Sequence, residues 1–350
     1  SLKLGVSAKS IDAKKKIVSA SDKKEYGYDK LLIATGGSPI FPPMKGSDKK
    51  GVFTLMTLDE SKEIKKNLKG VKKAVVIGGG LIGMKAAEGL HEAGIKVAIV
   101  ELADRILSRI LDEKGSRIFE AYLKDKGMDI ITSDSVVEIA GTKKVTSVKL
   151  KSKKKIACNM VIMAIGVRPN LDVIKDSSIE TKQGIIVDNK MQTKVPDIYA
   201  AGDVVQADDM LSGEKRVNAI WPLAYKQGRI AGANMAGSNK LYEGGFAQNS
   251  ISVLGLSTIS MGIVDPPSKN GYEIITGRGK GKHSYKKFVF DKDTIIGGIF
   301  IEDIDRSGII TGLVKERYKV KDNKEQFLSE KFGLINLDRQ WRDSKLTKPV

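Results

Sequence analysis

The stretch VKKAVVIGGGLIGMKAAEGLHEAGIKVAIVE, residues 71–101, decides how the rest of the chain is read. It opens on an unbroken apolar run, Ala74, Val75, Val76 and Ile77, which reads as a strand buried on both faces of a parallel sheet. Gly78, Gly79, Gly80, Leu81, Ile82 and Gly83 follow at once and fit G-x-G-x-x-G through Gly78, Gly80 and Gly83. Residues 84–93 are helix formers with apolar side chains at helical spacing, and Gly94 supplies the stop. A second apolar strand, Val97 to Val100 by residue type, ends on Glu101.

Each part has a physical task. Gly78 allows the tight turn, and Gly80 lets backbone approach a pyrophosphate with no Cβ in the way. Gly83 lets the helix pack close to the strand, and the helix N-terminus offers unpaired N–H groups and a positive dipole end. Glu101 stands where a carboxylate accepts both ribose hydroxyls and repels a 2′-phosphate, which points to NAD(H) rather than NADP. Arg105, just beyond it, keeps some NADP use open.

Working outward, the 350 residues suffice for two or three domains, and 41% hydrophobic with 29% charged residues describes a globular chain. No apolar run approaches the ~18 residues of a membrane span, and no charged-then-apolar leader stands at Ser1. The single cysteine, Cys158, excludes an intrachain disulfide framework, and with only His91 and His283 a histidine-rich metal site is excluded too. These features predict a cytoplasmic protein with no membrane partner and no metal. The net charge of +18 comes mostly from lysines in turns and at strand ends. No aromatics are interleaved with them as a nucleic-acid platform requires, so the surface is expected to steer an acidic protein partner.

Along the chain, residues 2–19 and 25–28 read as a meander, residues 28–34 as a buried strand, and residues 35–39 as a sharp turn. Pro39, Pro42 and Pro43 mark a boundary near Gly46. Thr57 and Glu60 form a capping-box pattern that starts a helix to about Leu68. Residues 129–132 are a strand, residues 136–155 a three-stranded excursion, and residues 160–165 a further buried strand. Residues 185–188 and 198–200 are short strands, and residues 222–235 a helix with small residues on one side. Strands follow at residues 250–260, 272–276, 285–290 and 295–302, then helices at 307–318 and 324–332.

Five phrases in order, LLIATGGSP (31–39), VVIGGGLIG (75–83), AIGVRPN (164–170), IYAAGDVV (198–205) and LAYKQGRIAGANMAG (223–237), resemble the pyridine nucleotide–disulfide oxidoreductases. The similarity is greatest to the branch of NADH:rubredoxin reductases, NADH oxidases and nitrite reductase flavoproteins. The resemblance implies an α/β fold of two Rossmann-like dinucleotide-binding domains, the FAD one truncated at its N-terminus, with a C-terminal α+β interface domain. Residues 1–46 and 167–247 would be the FAD-binding parts, residues 47–166 the NAD-binding domain and residues 248–350 the interface domain, which implies a homodimer. It further implies that Gly202 and Asp203 hold the flavin ribityl chain, and that Thr35 and Gly36 close over the ribose and pyrophosphate. Gly166 to Asn170 would lie beside NADH, and the helix after Trp221 and Pro222 would point its N-terminus at the isoalloxazine ring.

Three departures qualify the resemblance. The family's own first G-x-G-x-x-G unit, which binds the ADP half of FAD, is expected upstream of Ser1. FAD is therefore expected for the full-length protein and little or none in the chain as it stands. The redox cysteine of disulfide-reducing members also falls upstream, and Cys158 reads as a small core residue. Lys85 occupies a place where many relatives carry a glutamate near the nicotinamide. The implied activity is transfer of hydride from NADH to FAD and of electrons to an acceptor, such as a small acidic redox protein. An NAD-binding regulatory module, a disulfide or peroxide reductase with an upstream cysteine, and a nucleic-acid binder are the alternatives.

Overall fold

In the computed structural model, residues 1–266, 271–320 and 323–346 are described. The chain divides into two compact units, residues 1–38 with 167–247 and residues 39–166 with 248–350.

The second unit is built on a five-stranded parallel sheet in the order Val52–Thr54, Met160–Met163, Lys73–Ile77, Lys96–Val100, Asp129–Ile131. Lys73–Ile77 is central, and Ala74, Val75 and Val76 are wholly buried, as a strand covered on both faces requires. Ala74 and Val76 face one core, with Met84, Ala87 and Leu90 of the Leu81–Glu92 helix; Val75 and Ile77 face another, with Val148, Leu150 and Ile156 of the three-stranded excursion. Burying each of the larger of these side chains contributes ~1.5–3 kcal/mol. After Asp129–Ile131 the chain returns to the other side of Lys73–Ile77, so the strand order reverses between Lys73–Ile77 and Met160–Met163. That switch point opens a crevice at the carboxyl ends of the two strands.

The C-terminal part of this unit is a five-stranded antiparallel sheet, Gln248–Val253, Leu256–Gly262, Thr294–Ile301, Tyr285–Asp291, Tyr272–Gly277, with the Ser307–Lys315 helix against it. Its Ile251, Val253, Leu256, Ile299 and Ile301 share one apolar core with the Leu81–Glu92 helix, which is why the two parts form one unit. The expected α/β class with an α+β C-terminal part is thus the observed one. Two adjacent lysines are buried in the Tyr285–Asp291 strand of this sheet, each on a carboxylate. Lys286 pairs with Asp303 at 2.9 Å, and Lys287 with Asp112 at 2.9 Å. Asp112 also accepts from the Tyr285 hydroxyl at 2.7 Å and caps the Glu113–Asp125 helix through Gly115 N–H at 2.9 Å. Burial opposes its ionisation, but these three donors outweigh that and hold its pKa below the ordinary carboxylate value.

The first unit holds the Ala8–Asp12, Ile17–Ala20, Glu25–Gly27 meander and a parallel pair, Leu31–Ile33 beside Ile198–Ala200. Gly37–Pro39 pairs with Val167–Pro169, and Ile185–Ile186, Val205–Asp208 and Lys215–Arg216 form a further small sheet. The Trp221–Met235 helix packs Ala231 into the core with Ile33, Ile198 and Ala200.

The local expectations meet several corrections. The Glu113–Asp125 helix has no counterpart among the expected elements. The strand expected at 250–260 is a hairpin, because Leu254 (φ 50°) and Gly255 (φ 94°) form a two-residue turn with both φ positive. The helix expected at 324–332 is a 3-10 turn over Lys324–Leu328, the one expected at 307–318 ends at Lys315, and Arg339–Leu346 adds a helix not anticipated. The strand at 28–34 shrinks to Leu31–Ile33, and the turn at 35–39 contains a paired segment. The capping box holds: Thr57 accepts Glu60 N–H and Glu60 accepts Thr57 N–H at the start of the Leu58–Lys66 helix. Among the described residues, no helix is long and apolar enough to cross a membrane.

Candidate functional site

Two groups of residues stand out, one in each unit. In the second unit the glycine turn lies at the switch point. Gly78 has φ +106° and donates to Val100 O at 2.8 Å, and a Cβ on it would stand 2.3 Å from Ala164 O. The two loops flanking the crevice therefore touch through a position that only glycine fills. A Cβ on Gly83 would stand 2.0 Å from Gly78 O, so Gly83 is what lets the helix start against the turn. Gly80 differs: it is the N-cap, no side chain caps the helix, and a Cβ there would meet nothing within 4 Å. Open space in front of uncapped N–H groups is the cradle a pyrophosphate requires.

Glu101, at the end of Lys96–Val100, accepts Gly79 N–H on one carboxylate oxygen and Ala103 N–H at 2.7 Å on the other. It fastens the turn while each oxygen keeps a lone pair for a ribose hydroxyl. Leu107 N–H closes the loop from the far side on Gly79 O at 2.8 Å. Gly166 (φ +122°) follows the neighbouring strand Met160–Met163, and its carbonyl accepts Ile40 N–H at 2.9 Å. Gly78, Gly80, Gly83, Glu101 and Gly166 are thus gathered at one end of one sheet.

Lys85 lies elsewhere on the helix surface. Its ammonium pairs with Glu88 and donates to Ser252 O at 3.1 Å, so it bridges the helix to the C-terminal sheet. Sequence spacing could not reveal this bridge, because Ser252 lies far along the chain.

In the first unit, Leu31–Ile33 and Ile198–Ala200 are parallel neighbours, so Thr35, Gly36, Gly202 and Asp203 follow their carboxyl ends together. Gly202 (φ +86°) donates its N–H to the Gln227 side chain at 2.9 Å, which sets it against the first turns of the Trp221–Met235 helix. That helix begins with Pro222 in its first turn and no capping side chain, and Trp221 is 84% exposed. Asp203 has no hydrogen-bond partner among the described residues, and burial alone pushes its pKa above the ordinary carboxylate value. A half-buried carboxylate with no protein donor is suited to ligand hydroxyls. The fit to the ribityl end of a flavin rests on that carboxylate and on the uncapped helix start.

Sequence reasoning missed two partners here. Thr35 Oγ1 donates to Asn170 O at 2.8 Å and Asn170 Nδ2 donates to Thr35 O at 2.9 Å, so the turn after Leu31–Ile33 is locked to Asn170. Gln227, buried on the inward face of that helix with Leu223, Ala231 and Asn234, orients Gly202. Cys158 is 2% exposed and its thiol is pushed up to about 11 by burial, as a core residue rather than a nucleophile.

The family model of pyridine nucleotide-disulphide oxidoreductases matches residues 1–228, and that of the rubredoxin NAD+ reductase C-terminal domain matches residues 248–318. The chain is 32% identical over 339 residues to the epsilon subunit of NADH-dependent phenylglyoxylate dehydrogenase of Aromatoleum evansii, covering 95% of this chain and 80% of that one. It is 35% identical over 307 residues to an NADH oxidase of Methanocaldococcus jannaschii, covering 84% and 67%. A ferredoxin reductase from Rhodopseudomonas palustris superposes with a TM-score of 0.83 at 25% identity, covering 95% and 81%.

Proposed function

Because the chain belongs to the pyridine nucleotide-disulphide oxidoreductase family, we propose that it is an NADH-dependent flavoprotein oxidoreductase that delivers electrons to a redox partner. The observation that carries this reading is the glycine turn at the switch point, with Gly80 open to a ligand and Glu101 at the ribose position. In this reading the first turn of the Leu81–Glu92 helix binds the NADH pyrophosphate, Glu101 accepts the ribose hydroxyls, and Gly166 lines the crevice. Asp203 accepts the ribityl hydroxyls of FAD, Gly202 brings backbone to them, Thr35 and Gly36 close the turn braced by Asn170, and the helix at Trp221 and Pro222 directs its positive end at the ring. Bound flavin supplies acceptance of hydride from NADH and release of electrons one or two at a time. The chain's own part is to bind, orient and hold charge.

The division has FAD-binding parts at 1–46 and 167–247, an NAD-binding domain at 47–166 and an interface domain at 248–350, of which residues 267–270, 321–322 and 347–350 lie outside the described residues. A homodimer through that last domain, a cytoplasmic setting and a small acidic redox protein as acceptor complete the reading. The net charge of +18 supports the last of these, since a basic surface steers an acidic carrier. The test is anaerobic addition of NADH to flavin-loaded protein. Bleaching of the flavin bands, restored by an acidic carrier at a rate that falls with ionic strength, is the expected result. Flavin that NADH leaves oxidised would overturn it.

A further inference from the structure

The nucleotide reading rests on Glu101, yet an arginine stands on the same loop, where it would reward a 2′-phosphate. That loop is fastened to the glycine turn at both ends, through Glu101 on Gly79 N–H and Leu107 on Gly79 O, so Arg105 cannot drift far from the ribose end of the site. Its guanidinium is already engaged. Nη2 donates to Asp265 at 2.9 Å, and Nη1 donates to Asp104 at 3.1 and 3.3 Å. The side chain is 19% exposed, and its Nε is buried without an acceptor.

The two carboxylates are not equivalent. Asp104 is the adjacent residue and 61% exposed, so it moves with Arg105 wherever the loop turns it. Asp265 is 160 residues away, just past the Leu256–Gly262 strand, and it is braced. Its other oxygen lies 4.0 Å from Lys287, which is anchored on Asp112.

We infer that Asp265 is a specificity-determining residue for the nucleotide: it holds Arg105 against the C-terminal part of the unit and so denies a 2′-phosphate its cation. Discrimination against NADPH then has two sources, repulsion by Glu101 and sequestration of Arg105 by a carboxylate from a different sheet. This rests on the reading of the glycine turn as an NADH site. It also explains how an arginine at that place coexists with Glu101: the arginine is spent on a structural pair.

The test is titration of the full chain with NADH and with NADPH, followed by nucleotide fluorescence or calorimetry. Asp265→Asn keeps the shape of the side chain and removes its charge. It is expected to tighten NADPH binding by about tenfold, the scale of one charge-assisted hydrogen bond, with NADH affinity altered less than about twofold. Adding Arg105→Ala to Asp265→Asn should abolish the gain. Arg105→Ala alone should leave NADPH affinity where it was, because that guanidinium is already occupied; this variant keeps the inference falsifiable if Asp265→Asn folds poorly. Unchanged NADPH affinity in Asp265→Asn, a gain that survives loss of Arg105, or a loss of NADPH binding in Arg105→Ala alone would each overturn the inference while leaving the NADH site standing. No binding of NADH by the unsubstituted chain would overturn the nucleotide reading, and this inference with it.

Discussion

Replacing Gly83 by alanine tests the geometry of the glycine turn most directly. The new Cβ would stand 2.0 Å from Gly78 O and 3.1 Å from Gly78 C, where contacts below 3.0 Å are essentially never seen. The struck atom is backbone and cannot swing aside. Gly78 in turn is hemmed in by Ala164 O on one side and tied to Val100 O on the other. The helix must therefore back away by about 1 Å, with the strain of overpacking at ~1–3 kcal/mol, the upper end applying to a backbone clash. Alanine regains up to ~1 kcal/mol in helix propensity, which leaves a net loss of about 2 kcal/mol. A loss of that size lowers the melting temperature by several degrees in a unit of this size. Retreat of the helix start also misaligns its N–H groups, so NADH should bind at least about tenfold more weakly. Gly89→Ala is the control on the same helix. Gly89 is exposed and its Cβ position meets nothing within 4 Å, so that substitution should raise stability and leave NADH affinity unchanged. If Gly83→Ala melts no lower than the parent protein and binds NADH as well, the reasoning about the turn is refuted.

Other consequences follow from the same geometry. Glu101→Gln should weaken NADH binding by about tenfold and narrow the gap to NADPH, because one acceptor oxygen and the repelling charge are lost together; equal nucleotide preference before and after would count against the assignment. Asp203→Asn should lower flavin retention yet stabilise the ligand-free protein at neutral pH. The folded pKa of Asp203 is raised by burial, so its contribution is favourable below the ordinary carboxylate value and is lost as pH rises through the folded pKa. The difference in melting temperature between Asn and Asp proteins should accordingly vanish in acid and grow toward neutrality, and a pH-independent difference would contradict it. Cys158, buried and pushed up to about 11, should resist iodoacetamide at pH 8 in the native protein and react at once in denaturant. Rapid native labelling would place it outside the core.

The sequence alone determined the elements whose cause is local. Periodicity and glycine spacing identified the strand–turn–helix–strand around Gly78, and side-chain capping predicted the helix after Thr57. The short apolar run Ile198–Ala200 marked its strand, and Cys158 was legible as a small core residue. The order of five short phrases then carried the α/β class, because four of them hold glycine turns after strands, whose backbones have few solutions, and the fifth is the helix that follows. Only the tertiary structure decided what depends on residues far apart in the chain. The Glu113–Asp125 helix starts on Asp112, whose carboxylate is shared with Tyr285 and Lys287 from another sheet. The strand at residues 285–290 is legible in sequence, but nothing local marks its Lys286 and Lys287 as core; they are buried because Asp303 and Asp112 arrive from elsewhere. Arg105 reads as a free cation until Asp265 is seen beside it, and Thr35 as a free turn until Asn170 is seen to lock it. Hydrophobic period and turn chemistry act over a few residues and leave a local trace. The partner of a buried charge is set by strand register and sheet packing, which no window of sequence contains.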